Sequence, residues 1–105
     1  MPLQQLDKAT WLARCDGRAA LMGIVTGVEA SCRLSMVVPK AVHKSGFHPT
    51  SVLGTPAAAL ATSVALGLDR RQTVDALGHA GSLASGIIEY LADGAWTKRI
   101  HPGWA

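Results

Sequence analysis

Residues 49–72 decide the fold, and their sequence is PTSVLGTPAAALATSVALGLDRRQ. The alanine-rich run at the centre is strongly helix-forming, and a proline is well tolerated in the first turn of a helix, where Pro49 stands. Pro56 falls in the first two turns, which predicts either a kink or a later helix start. The stretch therefore predicts a helix from Pro49 to about residue 66.

The end of the same stretch contains a helix stop followed directly by a helix start. Gly67 stands where glycine commonly ends a helix in the left-handed conformation. Asp69 and Gln72 have the spacing of a capping box, in which each side chain accepts from a free backbone N–H of the first turn. A second helix is therefore predicted to begin right after Asp69.

The helical period continues to residue 94. It is interrupted at Gly81-Ser82, resumes over residues 83–91, and is expected to end at Asp93-Gly94. In the resumed helix Glu89 is expected to face outward. The residues expected to pack inward are Ile87, Ile88 and Leu91.

Upstream, a long helix is predicted from residue 18 to about residue 38. Asp16 is its candidate N-cap, and Pro39 ends it. The small residues Gly23, Gly27 and Ser31 lie four apart, which favours close approach of another helix. Its apolar residues recur every three or four positions. They are Leu21, Ile24, Val25, Val28, Cys32 and Met36.

The carboxylate of Glu29 lies inside this first helix and allows two interpretations: a solvent-facing group, or a buried partner of a basic side chain. Residues 1–16 stay unassigned, although a short helix from about residue 6 to 14 is one option. Since no alternating strand pattern of useful length occurs anywhere, the predicted fold class is all-α.

Composition limits the functional classes. The 105 residues suffice for one domain, and the 16% charged content is below the average of about 25% for soluble domains. The net charge of +3 comes from scattered basic residues, which favours small anionic ligands over nucleic acid.

Cys15 and Cys32 are expected to be reduced, buried thiols of a cytoplasmic protein. The uncharged run 51–68 is long enough to span a membrane, but its low hydrophobicity favours a buried core helix.

Two polar clusters, residues 42–50 and 92–105, are the candidate functional segments. His48 precedes a proline at a helix start, where an imidazole can transfer a proton beside a bound carboxylate; a structural capping role is the alternative. Lys98 can bind an anion or donate a proton, and a solvated surface turn is the alternative. Phosphate-loop, nucleophile-elbow and metal-ligand patterns are absent from the sequence. A cofactor-independent acid–base or anion-binding site is therefore expected, with no metal.

Several short sequence motifs resemble those of the MmgE/PrpD family, and they occur in the same order and at matching separations. Two of them contain the candidate residues: Gly46-Phe47-His48-Pro49-Thr50 and Thr97-Lys98-Arg99-Ile100-His101. The resemblance covers residues 17 to 105. The other matching motifs are residues 27–34, 67–69, 72–73, 76–78, 80–82, 84–86, 91–96 and 102–105.

The resemblance implies a fold and an activity. Family members include 2-methylcitrate dehydratase, cis-aconitate decarboxylase and an iminodisuccinate epimerase. They combine a large all-α domain with a smaller α/β lid domain, form dimers, and need no metal or iron–sulfur cluster. Their chemistry makes or breaks a bond next to a carboxylate of a small di- or tricarboxylic acid. The resemblance assigns His48 and Lys98 as catalytic residues, with Thr97, Arg99 and His101 as substrate-binding residues.

The chain departs from the family in length. Residues 17–105 correspond to part of the helical domain, and the lid domain and other active-site segments have no counterpart here. We therefore expect a fragment of a cytoplasmic, homodimeric lyase or isomerase, inactive when isolated, with a polycarboxylate substrate and neither nucleic acid nor membrane as a partner. The alternative is a catalytically inactive helical binding or assembly module.

Overall fold

The structure is a computed structural model that describes residues 15–105. Within that range the chain forms helices and no strand, which confirms the predicted all-α fold. The short helix considered near the N-terminus lies outside the described residues. The helices are α1 (Gly17–Val37), α2 (Ala41–Lys44), α3 (Pro49–Ala65), α4 (Arg70–Leu83), α5 (Tyr90–Asp93) and α6 (Thr97–Trp104).

Helix α3 is the centre of the arrangement, since it packs against α1, α4 and α6. It begins at Pro49 as predicted and runs through Pro56, so a later start is wrong. Its end is a Schellman motif: the N–H of Gly67 donates to the carbonyl of Val64, and that of Leu68 donates to the carbonyl of Ser63. Gly67 has a φ of +64°, so the predicted glycine stop is confirmed.

The two other predicted helix starts are also confirmed. The backbone N–H of Ala19 donates to Oδ1 of Asp16 at 2.7 Å, which caps α1. Asp69 and Gln72 form the complete capping box of α4, with bonds of 2.9 and 3.0 Å. All three signals involve residues within five positions of each other, so the local sequence suffices to define them.

Helix α1 contacts α3 through glycines. Gly23 and Gly27 are buried, and a Cβ atom added to Gly23 would lie 2.6 Å from the carbonyl oxygen of Ala61. A Cβ atom added to Gly27 would lie 2.8 Å from Cβ of Ala61. The two backbones therefore approach as closely as the small-residue spacing predicted.

The large apolar residues of α1 do not enter a core among the described residues. Leu21, Val25 and Met36 are 64%, 61% and 68% exposed, because the helix packs through its glycine face instead. By length and composition α1 would also pass as a membrane span, a test that soluble core helices and signal sequences pass too. The run 51–68 that met the length criterion in the sequence lies mostly in α3, between other helices. Cys32 is exposed, so the expectation of two buried thiols is wrong.

The prediction for residues 81–91 is wrong in two respects. Gly81-Ser82 lies inside α4, which continues to Leu83. Residues 84–89 are not helical, and Ile87 and Leu91 are 55% and 62% exposed rather than packed inward. The cause is the pairing of this segment with the loop before α3, described below. The predicted stop is confirmed, since Gly94 ends α5 with a φ of +72°.

Candidate functional site

The loop before α3 is held by a short backbone pairing with residues 86–88. The N–H of His48 donates to the carbonyl of Gly86 at 2.9 Å, and the N–H of Ile88 donates to the carbonyl of Gly46 at 2.8 Å. Between them lies an isolated antiparallel bridge from Phe47 to Ile87. The backbone of His48 is therefore fixed on both sides, by this pairing and by the first turn of α3.

The histidine is the N-cap residue of α3, but its side chain makes no capping hydrogen bond. The side chain is instead buried, and His48, at 4% exposed, is the only buried histidine in the described part of the chain. A capping role therefore does not explain its position. A buried imidazole without such a bond is a better candidate for chemistry than for helix termination.

Gly86 allows the site to close. Its φ of +116° strongly favours glycine, and an added Cβ atom would lie 3.0 Å from Oγ of Ser51 and 3.2 Å from Cβ of His101. Ser51 is 1% exposed, and its hydroxyl donates to the carbonyl of Ser85 at 2.5 Å. The segment containing Gly86 thus lies between the start of α3 and helix α6.

Four side chains from three segments meet beside this glycine. The ring of His48 lies 5.0 Å from the ring of Tyr90 and 5.8 Å from that of His101, measured between centroids. The rings of Tyr90 and His101 are 6.0 Å apart. The Nζ atom of Lys98 lies 5.7 Å from the Tyr90 centroid. The fold therefore brings the predicted residue His48 together with Lys98 and His101, which lie about fifty positions further along the sequence.

The electrostatics of the cluster favour a neutral imidazole. Burial lowers the pKa of His48 below 6.5, and the positive charges of His101 and Lys98 lower it further. The buried Nδ1 atoms of His48 and His101 have no hydrogen-bond partner among residues 15–105. Since buried polar atoms are normally paired, two unpaired nitrogens in one cluster are unusual for a purely structural arrangement. The cluster can accept a proton and, through Lys98, attract an anion.

The two remaining predicted substrate-binding residues lie in the first turn of α6. Thr97 is its first residue and is exposed. The guanidinium of Arg99 lies over the ring of Trp96, 4.3 Å from the centroid, in a cation–π contact. Their assignment as substrate ligands stays a prediction.

One other sequence hypothesis, that on Glu29, is settled by position. Glu29 forms an exposed ion pair with Arg33 one turn along α1, at 2.6 Å, so the solvent-facing interpretation is the correct one. Within residues 15–105, no three His, Cys, Asp or Glu side chains come together as a candidate metal site.

Sequence reasoning missed Tyr90, which is 7% exposed and touches the other three side chains of the cluster. The available signal was modest. It is the only tyrosine of the chain, placed between Gly86 and Lys98 in a sequence with few aromatic residues.

The fold and the cluster define the class of protein. It is an all-α domain in which a buried histidine and a lysine belong to one cluster. The sequence profile of the MmgE/PrpD N-terminal domain matches residues 6–105. The chain therefore belongs to the MmgE/PrpD family.

Curated relatives are also similar to the chain. A cis-aconitate decarboxylase of Aspergillus terreus is 34% identical over 95 residues, which is 86% of this chain and 18% of the relative. The cis-aconitate decarboxylase of Aspergillus terreus strain NIH 2624 / FGSC A1156 has the same identity and coverage. The chain thus spans about a fifth of the length of these relatives. No solved structure matches it.

Proposed function

We propose that these residues form part of a cofactor-independent lyase or isomerase that acts on a small di- or tricarboxylate by acid–base chemistry next to a carboxylate. The observation that carries the proposal is the buried, neutral imidazole of His48 beside the ammonium of Lys98. A neutral imidazole can take up a proton at pH 7, and a nearby cation stabilises the negative charge that develops. Membership of the family and the similarity to cis-aconitate decarboxylases support a polycarboxylate substrate.

We propose a role for each group of the cluster. His48 accepts a proton from the carbon next to a substrate carboxylate, or returns one to it. The electron pair of the broken bond spreads onto that carboxylate, where Lys98 stabilises the added charge. His101 and the neighbouring Thr97 and Arg99 are proposed to bind the other carboxylates of the substrate.

Substrate binding is expected to change the protonation of the cluster. Burial and two positive neighbours disfavour the imidazolium of His48 in the free protein. A bound polyanion supplies the opposite charge, so it raises the pKa of His48 and makes its imidazole a stronger base. Binding draws in a proton only at a pH below the pKa of His48 in the complex. Affinity for the polyanion is therefore expected to increase as the pH falls from the pKa of His48 in the complex to its pKa in the free protein.

The alternative function is a catalytically inactive helical module for binding or assembly. The exposed apolar residues of α1 favour it, since an apolar surface of this kind is typical of an interaction site. This alternative predicts a folded protein that does not respond to citrate-like ligands.

Thermal shift and product analysis on the intact protein separate these alternatives. Citrate and cis-aconitate should raise Tm, whereas acetate at the same ionic strength should not; a ligand at 100 times its Kd stabilises by about 2.7 kcal/mol. Incubation with cis-aconitate and 2-methylcitrate, followed by NMR, then distinguishes loss of water, loss of CO₂ and inversion at carbon. Absence of both a shift and a product with all these acids would favour the inactive module.

We also propose that the intact protein is a cytoplasmic homodimer, as the family resemblance implies. Light scattering after size exclusion and fractionation of source cells test this directly. A monomeric mass, or recovery in the membrane fraction, would contradict it.

A further inference from the structure

Among the described residues, Tyr90 is the only large apolar side chain that is buried. The others that are buried and apolar are alanines, Ala57 and Ala80. No other large apolar side chain is buried with Tyr90 among the described residues, so a surrounding core of buried aliphatic side chains does not account for its burial. Its aromatic and charged neighbours are instead the polar residues of the candidate site.

The ring makes a different contact with each of these neighbours. It meets the imidazole of His48 edge to face, at an interplanar angle of 66°, and that of His101 at 61°. Such arrangements are the preferred geometry of aromatic pairs, and they restrict the rotation of both imidazoles. The Lys98 ammonium lies near the same ring, 5.7 Å from its centroid, where the ring quadrupole attracts a cation.

The backbone of Tyr90 is linked to the loop that holds His48. The N–H of Ile88, two residues earlier, donates to the carbonyl of Gly46, and the N–H of Gly94 donates to the carbonyl of Tyr90. The ring is thus placed by the same pairing that fixes His48 and by the left-handed turn that ends α5.

We propose that Tyr90 is a positioning residue whose ring orients His48 and holds the ammonium of Lys98 beside it. The catalytic consequence of this inference rests on the proposed function, in which Lys98 stabilises a carboxylate of the substrate. Its structural content is independent of any substrate. The ring, and not the hydroxyl, performs this role.

The test compares Tyr90→Phe with Tyr90→Leu in the intact protein. Histidine-labelled NMR follows the titration of His48, which faces Tyr90 of α5 and the titratable Lys98 and His101 of α6. Tyr90→Phe should leave the titration unchanged. Tyr90→Leu admits water to the imidazole, so the pKa of His48 should move up toward 6.5.

Turnover is the second measurement on the same variants. Tyr90→Leu should lower kcat/KM by about five- to tenfold, the loss expected for one cation–π contact, while Tyr90→Phe should retain most of the activity. An unchanged His48 titration in Tyr90→Leu would overturn the inference. So would equal damage in both variants, since that would assign the role to the hydroxyl.

A measurement on the unaltered protein guards against misfolding of the leucine variant. The ε-methylene protons of Lys98 should show an upfield ring-current shift from Tyr90. Random-coil shifts for these protons would overturn the inference without any variant. If the intact protein has no turnover but the NMR results agree, the proposed function fails while the positioning role stands.

Discussion

Replacing Gly86 by alanine is the sharpest perturbation that the structure offers. The change adds one methyl group at a φ of +116°, within 3.2 Å of the His101 side chain and 3.0 Å of the Ser51 hydroxyl. Backbone strain of this type costs about 1–3 kcal/mol, and crowding by an extra methyl group costs about 1–3 kcal/mol. The lower entropy of the unfolded alanine chain offsets about 0.4–1 kcal/mol. Values near the middle of each range give a net loss of about 2–4 kcal/mol.

Native-state hydrogen exchange is the appropriate assay, because it reports on this pairing even where the intact protein does not unfold in one step. The N–H of His48 donates to Gly86 itself, and that of Ile88 closes the other bond of the pairing. Their protection factors should fall by about 30- to 1000-fold in Gly86→Ala. Gly78→Ala is the matched control, since Gly78 lies inside α4 and an added Cβ meets nothing within 4 Å. It should gain about 0.5–1 kcal/mol from higher helix propensity.

Wild-type protection of both amides in Gly86→Ala would refute the reasoning. That result would mean that the segment from residue 84 to 89 tolerates a side chain, and that the pairing does not depend on the glycine. Loss of protection in Gly78→Ala as well would show that the assay detects any added methyl group.

Three further outcomes are expected of the intact protein. Gly23→Ala should lower the free energy of unfolding by about 1–3 kcal/mol in urea titrations, because the new methyl group meets the backbone of α3; an unchanged midpoint would contradict the close packing. Asp69→Ala should cost about 1 kcal/mol through loss of the α4 cap, while the exposed Asp75→Ala should change little. The free energy of unfolding should fall as the pH drops below 6.5. The reason is that the pKa of His48 is lower in the folded protein, so the unfolded chain takes up the proton first. His48→Gln should remove that part of the pH dependence.

The helix boundaries were predictable because their signals are local. Asp16, Gly67 and Asp69 each act on backbone groups within five residues, so sequence spacing alone identifies them. The non-helical segment 84–89 was not predictable in this way. Its conformation depends on hydrogen bonds to Gly46 and His48, which lie about forty positions away in the sequence and leave no periodic pattern.

The site shows the same division between local and long-range information. The residues of the two polar clusters indicated His48 and Lys98 as candidates, and the family resemblance gave them roles. Their proximity, and the part of Tyr90 in it, required the fold. The apolar repeat of α1 was misleading, because the helix contacts α3 through Gly23 and Gly27 and exposes its large side chains.

The most direct test of the central claim is the turnover of His48→Gln and Lys98→Met in the intact protein, on the polycarboxylate that it converts. His43→Gln and Lys44→Met are matched controls, since both residues are exposed on the short helix α2. Each site variant should lose about 10²- to 10⁴-fold in kcat/KM with an unchanged Tm, while both controls should stay near the wild-type rate. Near-normal turnover by both site variants would contradict the assignment of His48 and Lys98 as catalytic residues.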